Sequence, residues 1–231
     1  MNYKLLSVSS DAKTRKGEKH GYLTGILYLA PHTLAGGRTL CPFSTPGCRR
    51  VCLYTAGHGA FSPVQNARVR KSQEYLRDTE GFVWDLHEDI GKLCDEAKKK
   101  RMTPAVRLNG TSDIEWERYR IMENFSDIQF YDYTKFPPNL RQMAPENYHL
   151  TYSFSEARKS RDWADGWFER GFNTSAVFFG ELPTTFLDRP VINGDESDLR
   201  FTDPKGVVVG LKVKGKARHD DGDGFVQKAV A

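Results

Sequence analysis

From Thr103 to Val213 the chain alternates between two periods, and this alternation limits the folds open to it more than any other feature. Stretches of period two, rich in β-branched and aromatic residues, read as strands: Thr103 to Asn109, Ile128 to Lys135, Tyr148 to Ser153, Thr174 to Phe179, Pro190 to Ile192 and Val207 to Val213. Between them lie stretches of helical period: Glu115 to Asn124, a short turn at Asn139 to Met143, and Ser160 to Arg170, where Trp163 and Trp167 stand one turn apart. Upstream, Tyr22 to Leu29 is a first strand. Ser62-Pro63 opens a helix to Asp78, its hydroxyl a candidate cap. A second helix begins near Gly81, and its Phe82, Leu86, Ile90, Leu93 and Ala97 form one buried stripe.

Strand-helix alternation implies parallel strands joined by right-handed crossovers. About seven strands in a chain of this length favour an α/β fold of the complete or partial β/α (TIM-like) barrel kind. A doubly wound open sheet is the runner-up, without the Gly-x-Gly-x-x-Gly or Walker sequence that usually accompanies it. With 231 residues, 39% of them hydrophobic and 28% charged, a single domain spanning 1–231 suffices, with residues 1–20 as a flexible lead-in or a peripheral strand.

A net charge of +4 is too mild to imply a nucleic-acid partner by itself. No apolar run reaches the roughly 18 residues of a membrane span, and Met1 to Lys19 lacks the apolar core of a secretory signal, so a cytoplasmic location without membrane association is expected. Cytoplasmic thiols stay reduced, which turns attention from disulfides to ligands. Cys94 lies beside the helical stripe and reads as a packed structural thiol. Cys41, Cys48 and Cys52 fall together in one Pro- and Gly-rich loop directly after the first strand, with the spacing C-x6-C-x3-C.

Three thiolates this close repel one another unless a thiophilic metal centre compensates them. A structural zinc needs a fourth ligand, for which His58 is nearest; Arg49, Arg50, Arg68, Arg70 and Lys71 with Phe43, Tyr54 and Phe61 would then make a zinc-stabilised RNA-binding module. A [4Fe-4S] cluster suits three thiolates alone and leaves one iron open. In a barrel this loop falls at the carboxyl-terminal rim, where βα loops assemble active sites.

The barrel with a three-cysteine first loop resembles radical S-adenosylmethionine enzymes. Their usual spacing is C-x3-C-x2-C, so the departure here counts against that cofactor and leaves the cluster in place. The closer likeness lies in Cys41-Pro42, Cys48, Cys52, Leu53-Tyr54 and Gly57, then Arg107-Leu108-Asn109-Gly110-Thr111-Ser112-Asp113, then Phe130-Tyr131-Asp132-Tyr133-Thr134-Lys135. Over residues 22 to 155 this pattern resembles the gene-product-eighty-eight-like family of phage and plasmid proteins. The resemblance implies an iron-sulfur barrel of viral or mobile-element origin and supplies no reaction.

Alternation along the strands puts Arg107 and Asn109 on one face, Thr151 and Ser153 opposite Leu150 and Tyr152, and Asp132 and Thr134 opposite Tyr131, Tyr133 and Lys135. Asn109, Asp113, Lys135 and Ser153 are the candidate catalytic residues, and Cys41, Cys48 and Cys52 the cluster ligands. Ser112-Asp113-Ile114-Glu115 also reads as a capping box. His219-Asp-Asp-Gly-Asp-Gly224 fails the EF-hand spacing and reads as a solvated turn. The expected function is Lewis-acid hydrolysis or hydration of a small ester or carbonyl substrate at the open iron. The alternatives are a radical S-adenosylmethionine-like enzyme, the RNA module, and a non-catalytic redox or cluster sensor.

Overall fold

The computed structural model describes residues 3–9, 12–141, 144–219 and 224–228. In chain order the strands are β1 (Leu6–Val8), β2 (Tyr22–Leu27), β3 (Thr103–Arg107), β4 (Gln129–Thr134), β5 (Tyr148–Ser153), β6 (Asn173–Phe179), β7 (Thr185–Phe186), β8 (Arg189–Asn193), β9 (Val208–Lys212) and β10 (Val226–Lys228). The helices are α1 (Ala12–Glu18), α2 (Pro46–Arg50), α3 (Ser62–Arg77), α4 (Thr79–Lys100), α5 (Ile121–Asn124) and α6 (Ser160–Glu169).

All ten strands join one mixed, mostly parallel sheet in the order β1-β2-β3-β4-β5-β6-β9-β8-β7. Strands β2 to β6 run parallel in sequence order, as βαβ crossovers require. The ends are antiparallel, β1 against β2 and β7 against β8. Strand β10 lies beside Val177–Phe179 of β6, beyond the point where β5 stops pairing. The sheet does not close among the described residues, which corrects the complete barrel: β1 and β7, at opposite ends, do not pair with each other.

One face of the sheet carries Leu23, Leu27, Val106, Leu108, Phe130, Leu150 and Phe178, packed with the apolar stripe of α4 and with Trp167 of α6. That stripe is the expected one, and Cys94 packs beside it. Asp78 accepts from Gly81 N (3.0 Å) at the start of α4, and Arg101, left-handed at φ 56°, ends it after three lysines that complement the helix dipole. Ser62 lies inside α3 and offers no cap; Pro63 alone marks that start. The expected helix from Glu115 to Asn124 is two pieces, a 3-10 turn at Trp116–Tyr119 and then α5, broken where Arg120 turns left-handed at φ 55°. Of the turn expected at Asn139 to Met143, and of the His219 to Gly224 turn, residues 142–143 and 220–223 lie outside the described residues. No helix among the described residues is long and apolar enough to cross a membrane.

The lead-in forms the edge strand β1, held by a buried acid. Asp89 of α4 accepts from Lys4 N (3.2 Å), Leu5 N (2.6 Å) and Leu6 N (3.1 Å). Burial pushes its carboxyl up, but these three N–H donors together with Lys92 Nζ (3.2 Å) outweigh burial and hold it below the usual carboxylate range. Its stabilisation is therefore present at neutral pH and lost as the pH falls through the depressed folded value. We expect Asp89→Ala to cost about 2–3 kcal/mol, because three backbone donors lose their acceptor; urea denaturation measures this, and a change within about 0.5 kcal/mol, that of an ordinary surface substitution, would contradict it.

Candidate functional site

The first crossover begins with an irregular loop, and its three cysteines line one cavity of about 600 Å3 at the carboxyl ends of the parallel strands. Cys41 Sγ accepts from His32 N (3.3 Å). Cys48 sits in α2, a short helix opened by Thr45, whose hydroxyl accepts from Cys48 N (3.2 Å) and donates to Glu156 Oε2 (2.8 Å). Gly47 N donates to Glu156 Oε1 (2.7 Å). Glu156, just past β5, thus clasps the amino end of the cysteine helix across more than a hundred residues of chain. A Cβ on Gly47 would stand 2.8 Å from both Glu156 Oε1 and Phe225 Cβ, so only glycine fits between clasp and roof. That roof is the chain's far end: Phe225, Val226 and Ala217 pack with Val51, against Cys48.

The four candidate catalytic residues also line this cavity, but most of their polar atoms are committed to the fold. Asn109 Oδ1 accepts from Ser112 Oγ (2.9 Å), Ile114 N (2.9 Å) and Trp116 Nε1 (3.1 Å), and its amide donates to Ile114 O (2.9 Å). Asn109 therefore shapes the loop after β3. Asp113 accepts from Lys135 N (2.7 Å) and Arg141 Nη1 (3.0 Å). The capping box does not form, since Ser112 bonds Asn109 and the 3-10 turn has no side-chain cap. Lys135 Nζ donates to Ser153 O (2.9 Å), Ser153 Oγ (3.0 Å) and Phe154 O (3.3 Å), and lies 5.0 Å from the centre of the Phe225 ring. With its donors so used, Lys135 acts as a fixed positive charge beside the cysteines.

Sequence reasoning missed Arg141 and Glu156. Arg141 is fully buried, donating to Asp113, to Thr134 Oγ1 (2.9 Å), to Glu117 Oε1 (2.8 Å) and to Tyr148. Asp132 is not exposed to the cavity but lies beneath it, accepting from Asn109 N (2.7 Å), Leu108 N (3.3 Å) and Tyr148 OH (2.9 Å). Burial, only partly offset by Arg107 and these donors, lifts its carboxyl to about 7. In the folded chain it then keeps a proton that the unfolded chain has lost, so its contribution is intact below about pH 4 and lost as the pH rises toward 7. Asp132→Asn has no such proton, and its unfolding free energy should fall less steeply over that window than the wild type's; identical slopes in urea melts at stepped pH would contradict this.

Burial also pushes all three thiols up, Cys52 to about 11, while Lys135 pulls Cys48 and Cys52 back. Among the described residues no three His, Cys, Asp or Glu side chains converge closely enough to hold a single metal ion. His58, the fourth ligand a Cys3His zinc centre would need, lines the same cavity as the three cysteines. Two of the three aromatic faces expected to stack on RNA bases are used inside the fold: Tyr54 is buried and Phe43 packs on Phe136 at 4.6 Å. A cubane makes a different demand, since each cysteine binds a different iron and the sulfurs need only surround one space. Soft thiolate donors around a single cavity, with a fixed ammonium beside them, fit that group.

A family model described as Gene product 88 matches residues 4–229. The chain belongs to the gene product 88 family. The match extends beyond residues 22 to 155, which carry the sequence likeness, and takes in the carboxyl-terminal part that roofs the cysteine loop. No curated protein and no solved structure matches this gene product 88 chain.

Proposed function

We propose that this protein, of viral or mobile-element kind, carries a [4Fe-4S] cluster on Cys41, Cys48 and Cys52, with one iron open toward the cavity and a small molecule bound beside it. The observation that carries this reading is the gathering of three soft donors around one roofed space at the strand ends, the place where parallel α/β folds put their sites. The sequential parallel order of β2 to β6 is that of consecutive barrel strands, and we read the open sheet as a partial β/α barrel. When bound, such a cluster supplies Lewis acidity at its open iron, suited to hydrolysis or hydration of an ester or carbonyl compound.

The chain's own residues give this chemistry its setting. Lys135, held on carbonyls of β5 and its following loop, places positive charge where the thiolates are negative. The roof of Phe225 and Val51 lowers the local dielectric and limits water near Cys48. Ser153 Oγ and Asn109 border the space where a substrate would lie.

The test is an open coordination site. The anaerobically reduced protein, titrated with cyanide, should change its electron paramagnetic resonance spectrum without losing iron. An intact cluster blind to cyanide would mean that a fourth protein ligand closes it, leaving electron transfer or redox sensing. S-adenosylmethionine forms the second arm: a spectral shift with it and release of 5′-deoxyadenosine would place the protein with the radical enzymes instead.

A further inference from the structure

The cavity is charged unevenly. Arg15, Lys16, Arg49, Arg68, Arg107, Lys135, Lys212 and Lys214 line it, against three acids, Asp113, Asp195 and Asp198. Each acid is already engaged: Asp113 by Arg141 at 3.0 Å, Asp195 by Lys214, and Asp198 by Arg107 at 3.0 Å. Lys16 and Lys135 lie within electrostatic reach of Asp195 and Asp113, which leaves eight cations facing three acids in the lining. Field from these cations is focused in a space walled by protein, and the small net negative charge of a cubane with three thiolates offsets only part of it.

Arg107 is the group best placed to use this excess. Its side chain is 4% exposed, it lines the cavity, and its guanidinium lies 4.8 Å from the centre of the Tyr133 ring. It donates through Nη1 to both oxygens of Asp198 (3.2 and 3.0 Å). Its Nε is buried with no hydrogen-bond partner, 4.0 Å from Asp132 Oδ1 and so beyond bonding distance. Asp198 and Tyr133 thus fix the plane of a guanidinium with donor capacity left over. A planar fork at the cavity wall is suited to the two oxygens of a carboxylate or phosphate.

We infer that Arg107 is the anchor of an oxyanion subsite, and that the molecule bound in this cavity carries a carboxylate or a phosphate group. The inference deepens the proposed function by naming the substrate class, and it rests on that reading only for the chemistry at the other end of the cavity. Isothermal titration calorimetry of the full-length protein, prepared with and without iron, would use inorganic phosphate and malonate as probes, with sodium chloride at matched ionic strength as control. One of the two should bind above the control, and which one binds names the oxyanion. The double variant Arg107→Gln with Asp198→Asn, which removes the Asp198 carboxylate together with its guanidinium partner, should weaken binding about tenfold or more. Lys212→Gln at the rim should weaken it less and flatten its salt dependence.

No binding of either probe by folded wild-type protein, or equal binding by the double variant, would overturn the inference. The two readings fail separately: anion binding by a chain that never takes up iron leaves the subsite standing and removes the cluster, while an iron-loaded protein that ignores both anions does the reverse.

Discussion

A chain carrying Arg141→Met is expected to lose about 3–5 kcal/mol of folding stability, the usual cost of stranding a buried charge. Arg141 is fully buried and holds two carboxylates, Asp113 at 3.0 Å and Glu117 at 2.8 Å, with Thr134 and Tyr148 completing its hydrogen bonds. Removing it leaves both buried acids without their counter-charge. The companion variant, Arg141→Met with Asp113→Asn and Glu117→Gln, separates charge from packing and should recover most of the loss. Chemical denaturation of both proteins decides the matter. A single variant within about 1 kcal/mol of wild type would show that the network contributes no more than a surface ion pair.

The second large effect concerns the cysteines. Serine at position 41, 48 or 52 should each remove nearly all bound iron and the visible absorption with it, because a hard hydroxyl is a poor substitute for a thiolate on an iron-sulfur centre. Cys94→Ser is the internal control, since that thiol packs against the core and does not line the cavity. It should keep iron and colour. Iron analysis of the four variants after anaerobic reconstitution provides the comparison, and undiminished iron in any one of the first three would exclude that residue as a ligand.

Much of the fold was legible because long elements carry their own period. Tyr148–Ser153 alternates cleanly enough to be read to the residue, and α4 shows its stripe over five buried positions. Strands β1, β7 and β10, of two or three residues, are too short to carry a period, and pairing with longer neighbours creates them. Closure was illegible for another reason. Alternation dictates parallel neighbours, but whether a sheet shuts depends on its end strands, and here both ends turn antiparallel.

At the site Arg107, Asn109, Lys135 and Ser153 line one cavity, although strand alternation set Lys135 on the face opposite Asp132 and Thr134. Alternation could not show that Asn109 and Lys135 spend donors on the backbone, because the partners, the Ile114 carbonyl in a loop and the Ser153 carbonyl at the end of β5, are brought near by tertiary packing. The clasp between Glu156 and the cysteine helix spans 109 residues from Gly47, and no local pattern foretells it.

The measurement that bears most directly on the whole account is a metal and sulfide analysis of wild-type protein purified without oxygen, read beside its visible spectrum. The account predicts a brown protein holding about four iron and four acid-labile sulfide ions per chain, as one cubane contains. A colourless protein with one zinc ion and no sulfide would contradict it.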